Sequence, residues 1–343
     1  MDILLVDQLV PEATAWLEAR HSVEYRPELA DDPAALRKAA YKAKALILPR
    51  RVMVTRELLD FAPLLRTVAR VHASADNTDL EACRERKVRV VQSTTSNIRA
   101  NSEYLIASLL LMFRPAIVSA LTGERAEHRL GRELNGSVVG IFGLAPTAHT
   151  LALLLRGLGV KLIGYDPAVH HTAPIWNRLQ IQPVGIKEMM ATADAISVQV
   201  MYASRYQGFI NDAMLAHCKP GQVWVGMSRS QLFDPTALAK ALTDGRIEAC
   251  MMDGAAPGFA GPGTPLHDLK NLHLTPRVGS QTRESRQRAS WYVVHRVHET
   301  LTAPKGALDS IYSGPVELDE PSTTSAPIAP PGPTPTPPPA AEK

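Results

Sequence analysis

One stretch of this chain has residue types and spacing suited to holding a nucleotide. Val138 to Phe142 is an apolar run that stops at Gly143, and Thr147 to Leu158 has an amphipathic helical pattern. A second apolar run, Val160 to Tyr165, stops at Asp166, 23 residues after Gly143. A strand–helix–strand unit of this length sets a glycine turn and a helix N-terminus against a pyrophosphate, and an acid against ribose hydroxyls. Of the pattern G-x-G-x-x-G the chain keeps Gly143 and writes Ala145 and Ala148 at the other two positions. Ala148 only packs helix on strand. Ala145 puts a methyl where backbone approaches phosphate, and Pro146 removes an N–H, although proline suits a first helical turn. Gly143, Ala145, Pro146, Thr147 and Asp166 are the candidate cofactor-binding residues. Pro167 follows the acid where a basic residue would favour a phosphorylated ribose, which points to NAD over NADP.

The elements around this unit repeat its rhythm. Asp2–Val6, Ala45–Leu48, Thr67–Val71 and Val88–Val91 read as strands, with helical patterns at Pro11–Arg20, Arg56–Phe61 and Leu80–Arg86 between them. After Asp166 come strands at Ala195–Val200, Gln222–Val225, Ala249–Met252 and Leu272–Leu274, and helices at Asp212–His217 and Pro235–Thr243. Strands alternating with helices imply parallel sheets covered on both faces. Two longer helical patterns, Asn101–Leu121 and Arg283–Leu301, are placed to join two such units, the second crossing back to the first unit. The expected fold is α/β, with two doubly wound Rossmann-like domains and a cleft between them. Residues 1–100 with 284–312 form one domain and residues 101–283 the other. From Ser313 to the end, ten of the chain's 27 prolines mix with Ser, Thr and Ala, the composition of a disordered tail.

Length and composition narrow the classes. At 343 residues the chain can bury two sizeable cores. A net charge of +3 with no lysine-rich block argues against a nucleic-acid partner. No apolar run reaches the ~18 residues needed to span a membrane, and Met1–Val10 has no basic leader. Cys83, Cys218 and Cys250 lie far apart without metal-type spacing, which fits reduced thiols in a cytoplasm. His170–His171 lacks a third ligand, so no metal is expected.

Several further stretches, in order and at matching spacing over roughly residues 1–302, resemble the D-isomer-specific 2-hydroxyacid dehydrogenase family. They are RVHASADNTDLEACRERKVRVV (Arg70–Val91), SNIRANSEYLIASLLL (Ser96–Leu111), KPGQVWVGMSRSQLFDPTALAKAL (Lys219–Leu242) and PLHDLKNLHLTPRVGS (Pro265–Ser280), together with the central unit. The resemblance implies a flavodoxin-like substrate domain, an NAD-binding domain and a homodimer. It also implies an arginine that grips the substrate carboxylate, a histidine that moves a proton and a glutamate that orients the histidine. A guanidinium matches a carboxylate bidentately, and an imidazole exchanges protons near neutrality.

Only the first of these three groups is kept. The arginine is Arg229; the histidine position is Arg277 and the glutamate position is Ala256. His273 is four strand residues upstream, ~13 Å away at the usual rise. Arg277 stays protonated, so it can stabilise a developing alkoxide but cannot supply its proton. A positioned acid contributes ~10²–10⁴ in rate, and turnover is expected to be slow. Arg229 and Arg277 are the catalytic candidates. His72, Ala73, Ser74 and Asn97 are the substrate-binding candidates by their match to the family's substrate loop, and Asp253 is placed near the nicotinamide. The expected substrate is a small anionic 2-oxo or 2-hydroxy acid, with Arg50 or Arg51 on the same rim adding positive charge. A reading of another class remains beside it: an inactive NAD(H) sensor or scaffold whose Pro-rich tail recruits a partner.

Overall fold

The structure is a computed structural model that describes residues 1–72, 77–122 and 130–304. The Pro-rich tail, and with it the expectation of disorder, lies outside the described residues, as do Ala73 and Ser74.

Two parallel sheets form the frame. The first has β1 (Ile3–Leu5), β2 (Val23–Tyr25), β3 (Ala45–Ile47), β4 (Thr67–Arg70) and β5 (Arg89–Gln92), in the spatial order β2-β1-β3-β4-β5. The second has β6 (Val138–Phe142), β7 (Lys161–Tyr165), β8 (Gln182–Pro183), β9 (Ala195–Val198), β10 (Gln222–Gly226), β11 (Ile247–Asp253) and β12 (Leu272–Thr275). Its order, β12-β11-β10-β9-β6-β7-β8, reverses beside β6. That switch point opens a crevice at the strand C-termini, where ligands of doubly wound folds bind.

Helices α1 (Pro11–Glu18), α2 (Pro33–Ala40), α3 (Arg56–Asp60), α4 (Leu80–Glu85) and α5 (Ile98–Met112) precede the second sheet. So does α6 (Pro115–Thr122). Within and after the second sheet come α7 (Pro146–Arg156), α8 (Pro174–Leu179), α9 (Ile186–Thr192), α10 (Asp212–Leu215), α11 (Pro235–Thr243) and α12 (Arg283–Thr302).

The strands read as near-continuous apolar runs because both of their faces are buried. In the first sheet Leu4, Val6, Leu46, Leu48 and Val68 pack on one side with Leu36, Leu58 and Leu59. Ile3, Leu5, Ala45, Ile47, Ala69 and Val91 pack on the other with Val293, Val294 and Val297 of α12. The last helix therefore does return to the first sheet. In the second sheet Val139, Ile141 and Val223 meet Leu105 and Leu109 of α5 and Leu151 and Leu155 of α7. Phe142, Ile196, Val198 and Trp224 meet Met189 of α9 and Leu238 of α11.

The helical pattern Asn101–Leu121 is two helices, bent by 98° between α5 and α6. Pro115 explains the break: it lacks the N–H that a continuing helix needs and disfavours helical geometry at Arg114. Among the described residues no single helix is long and apolar enough to cross a membrane. The three cysteines are free and buried. Burial pushes the Cys83 thiol up to about 11 and the Cys218 and Cys250 thiols up to about 12.

Candidate active site

The turn from β6 into α7 is built for close approach. Gly143 adopts φ +97°, and a Cβ there would lie 2.4 Å from the Val200 nitrogen. Only glycine fits. The Gly143 N–H donates to the Tyr165 carbonyl at 2.8 Å, tying this turn to β7. Asp32, Thr55, Asp79, Asp234 and Thr282 cap their own helices with side-chain oxygens, whereas Ala145 at the start of α7 offers none. The first turn of α7 is thus left for another acceptor, minus the N–H that Pro146 lacks. Asp166 receives the Leu144 N–H on Oδ2 at 2.6 Å and the Ala168 N–H on Oδ1 at 2.7 Å. A carboxylate has about four acceptor positions, so two remain for ribose hydroxyls. These residues fit a dinucleotide, with Thr147 in the same first turn.

A second turn, following β11, gathers the two arginine loops. Asp253 is buried, and its Oδ1 accepts from the Thr275 hydroxyl at 2.6 Å and the Val278 N–H at 2.8 Å. Its Oδ2 accepts from the Gly279 N–H at 2.9 Å. The Tyr104 hydroxyl meets Thr275 Oγ1 at 2.7 Å, so α5 joins the same chain of bonds. Burial pushes the Tyr104 phenol above its ordinary value, against the smaller opposing pull of its hydrogen bonds to Thr275 and Ser108. Arg277 sits in this pinned loop at φ +60°, a left-handed conformation that costs a non-glycine residue about 1–2 kcal/mol. Its side-chain stem lies over Gly254, where an added Cβ would come 2.6 Å from Arg277 Cγ. Ala256 donates its N–H to the buried Ser230 hydroxyl at 3.0 Å, and Ser230 directly follows Arg229. One turn, residues 253–256, is thereby bonded to both loops. Arg229 and Arg277 are both exposed, and Arg229 lies 5.5 Å from the centre of the Tyr202 ring.

On the first sheet, Asn97 accepts on Oδ1 from Ser285 Oγ at 2.6 Å and Ser96 Oγ at 3.2 Å. It is thus tied to the first turn of α12. His72 is half-buried just past β4. Burial lowers its pKa, Asp7 raises it, and Arg50, Arg70 and Arg286 lower it further. Arg51 forms an exposed two-point ion pair with Asp31, at 2.8 and 3.1 Å. It therefore faces a surface carboxylate. Sequence reasoning did not single out Asp7, Arg70, Tyr104, Thr275 or Ser285. Arg70 is 1% exposed and donates to the carbonyls of Pro49, Val52 and Asn77 and to the Thr78 hydroxyl. It binds the loops after β3 and β4 together. The position of Asp7 immediately beyond the first strand was the available signal, since strand C-termini line the cleft of such sheets.

Residues 110–279 match the family model of the D-isomer specific 2-hydroxyacid dehydrogenase NAD binding domain. The chain is 31% identical over 304 residues to (S)-sulfolactate dehydrogenase of Chromohalobacter salexigens, covering 88% of this chain and 98% of that one. It is 33% identical over 304 residues to D-3-phosphoglycerate dehydrogenase of Mycobacterium tuberculosis, where it spans 87% of itself and 56% of the relative. Among solved structures, the TT0316 protein from Thermus thermophilus superposes with a TM-score of 0.75 at 25% identity, over 88% of this chain and 97% of the other. D-2-hydroxyisocaproate dehydrogenase shares the fold, with a TM-score of 0.73 at 17% identity over 88% and 97%. The chain belongs to the D-isomer specific 2-hydroxyacid dehydrogenase family, and its second sheet lies in the NAD-binding part.

Proposed function

We propose that this protein is an NAD-linked oxidoreductase acting on a small anionic 2-oxo or 2-hydroxy acid through a remodelled, slow site. The carrying observation is the 253–256 turn, bonded at once to the Arg229 loop and the Arg277 loop. Two guanidiniums beside one turn suit a substrate with more than one negative group. That the family members named above include a sulfolactate and a phosphoglycerate dehydrogenase supports such a substrate.

Gly143, Thr147 and Asp166 would hold a nicotinamide dinucleotide, which would supply or take up the hydride. Arg229 grips the carboxylate, and the fixed charge of Arg277 stabilises negative charge on the substrate's 2-oxygen. Asp253 positions the Arg277 loop through its three hydrogen bonds, beside the nicotinamide end of the cleft. His72 and Asn97 form the opposite wall, and Ala73 and Ser74, next in sequence to His72, are assigned to substrate with them. The domains are read as residues 1–100 with 284–312 for substrate and 101–283 for cofactor. A homodimer is part of the reading, supported by the exposed Leu110 before the α5–α6 bend and Ile117, Leu121 and Leu130 after it.

The test is a titration with NADH followed by tryptophan fluorescence, then a panel of 2-oxo acids. Binding with reduction of at least one acid is expected. The double substitution Arg277→His with Ala256→Glu should raise that activity by replacing a fixed charge with an oriented proton donor. NADH binding with no turnover, before and after the double change, would favour the sensor or scaffold reading.

A further inference from the structure

We infer that Tyr104 of α5 is a positioning residue for Arg277: its hydroxyl and its ring hold the two ends of the loop that aims the guanidinium at the substrate's 2-oxygen. This rests on the oxidoreductase reading and says what keeps that reading's fixed charge in place. The hydroxyl meets the loop where it begins. Tyr104 Oη lies 2.7 Å from Thr275 Oγ1, and Thr275 Oγ1 lies 2.6 Å from Asp253 Oδ1. Asp253 also accepts the Val278 N–H on Oδ1 and the Gly279 N–H on Oδ2. Thr275 has one hydroxyl proton and gives it to that carboxylate, so the proton between Thr275 and Tyr104 belongs to Tyr104. Burial pushes the phenol above its ordinary value, which keeps this donor protonated. The bonds therefore run one way, from Tyr104 through Thr275 to Asp253, and each polarises the next.

The ring meets the loop where it ends. An added Cβ at Gly279 would lie 3.2 Å from Tyr104 Cγ and 3.1 Å from Asp253 Oδ2. The Gly279 backbone thus lies against the tyrosine ring as well as against the aspartate. Tyr104 touches the loop at Thr275 and at Gly279, and Arg277 stands midway between them.

The arginine needs such a frame. At φ +60° it is strained, and a strained residue relaxes unless its surroundings hold it. Two further bonds are local to the loop: the Arg277 N–H donates to the Thr275 carbonyl at 3.0 Å, and Gln281 Nε2 donates to the Arg277 carbonyl at 3.1 Å. Tyr104 holds the loop from outside, on a helix whose Leu105 and Leu109 are buried against the second sheet. The guanidinium stem follows the backbone, since Cγ, Nε and Cζ of Arg277 all lie over Gly254. A fixed charge stabilises a developing alkoxide only at short range, and a displacement of ~1 Å can cost up to ~10²-fold in rate.

The experiment uses the full chain. Tyr104→Phe keeps the ring and removes the proton that Thr275 accepts. It should quicken amide exchange at Val278 and Gly279 by about tenfold, while β6 and α7 exchange as in wild type and so certify the fold. In steady-state reduction of a 2-oxo acid it should lower kcat by about 5–20-fold and leave KM within about twofold, because Arg229 still grips the carboxylate. Thr275→Val should do at least as much, and Thr275→Ser, which keeps the hydroxyl, should behave as wild type. In an Arg277→Met background, adding Tyr104→Phe should change kcat by no more than about twofold, since no guanidinium is left to aim. Unchanged exchange in Tyr104→Phe, or the same fold-loss of kcat with and without Arg277, overturns the inference while leaving the oxidoreductase reading intact. A wild-type protein that binds NADH but reduces nothing overturns that reading and the aim at substrate with it. Exchange at Val278 and Gly279 then decides alone whether Tyr104 holds the loop.

Discussion

The C-terminal edges of the two sheets are satisfied in opposite ways. On the second sheet, Asp253 takes three hydrogen bonds from its own chain and Asp166 takes two. On the first, Asp7 Oδ2 and Gln92 Nε2 are buried with no partner. A carboxylate bonded by its own loop is a loop-building device, and it fixes where the Arg277 loop and the β6–α7 turn stand. A buried polar atom left unmet carries a desolvation cost that the surrounding packing must offset. The contrast teaches that the cofactor side is prebuilt, whereas the first sheet keeps unmet polar atoms at the ends of its strands.

The largest effect should come from Arg70, the most heavily bonded side chain at the first sheet's edge. Arg70→Met would remove four hydrogen bonds, leave the Val52 carbonyl without its donor while Pro49 and Asn77 keep those from Val52 and Val54, and should destabilise the protein by about 2–4 kcal/mol in equilibrium denaturation. Arg51→Met, which breaks only an exposed ion pair, should change stability by no more than about 1 kcal/mol. On the second sheet, Asp253→Asn leaves too few acceptors for Thr275, Val278 and Gly279. It should cost about 1–3 kcal/mol and speed amide exchange across residues 275–281. Arg277→Gly relieves the left-handed backbone and should raise stability by about 1 kcal/mol while removing the charge, readable as a higher Tm with a lower rate. The smallest change is expected from Gln92→Met, which removes an unmet donor and should be neutral or slightly stabilising, within about 1 kcal/mol. Should Gln92→Met cost as much as Asp253→Asn, Gln92 has a partner after all and the contrast between the edges fails.

Much of the fold was legible because parallel strands buried on two faces leave unbroken apolar runs, as in Ala45–Ile47 and Ala195–Val198. What escaped was short or polar. β2 is the half-exposed edge sequence Val-Glu-Tyr, and β8 is only Gln182–Pro183. α2 carried a legible start, Asp32 before Pro33, whose carboxylate caps Ala34 and Ala35. Of the candidate site, the chain order placed Arg229 and Arg277 after strands but gave no sign that one turn would be bonded to both their loops. That bonding depends on Ser230 meeting Ala256 and on Thr275 meeting Asp253, pairs 26 and 22 residues apart. Asp7 was legible only as a charge ending a strand.

The contact of Arg277 with Gly254 has a historical consequence. Because the arginine stem occupies the space a Cβ at residue 254 would need, the two positions cannot vary independently. A lineage that acquires any side chain at 254 must first surrender or re-aim the arginine. The order in which such substitutions are tried on this chain should therefore decide which of them survive.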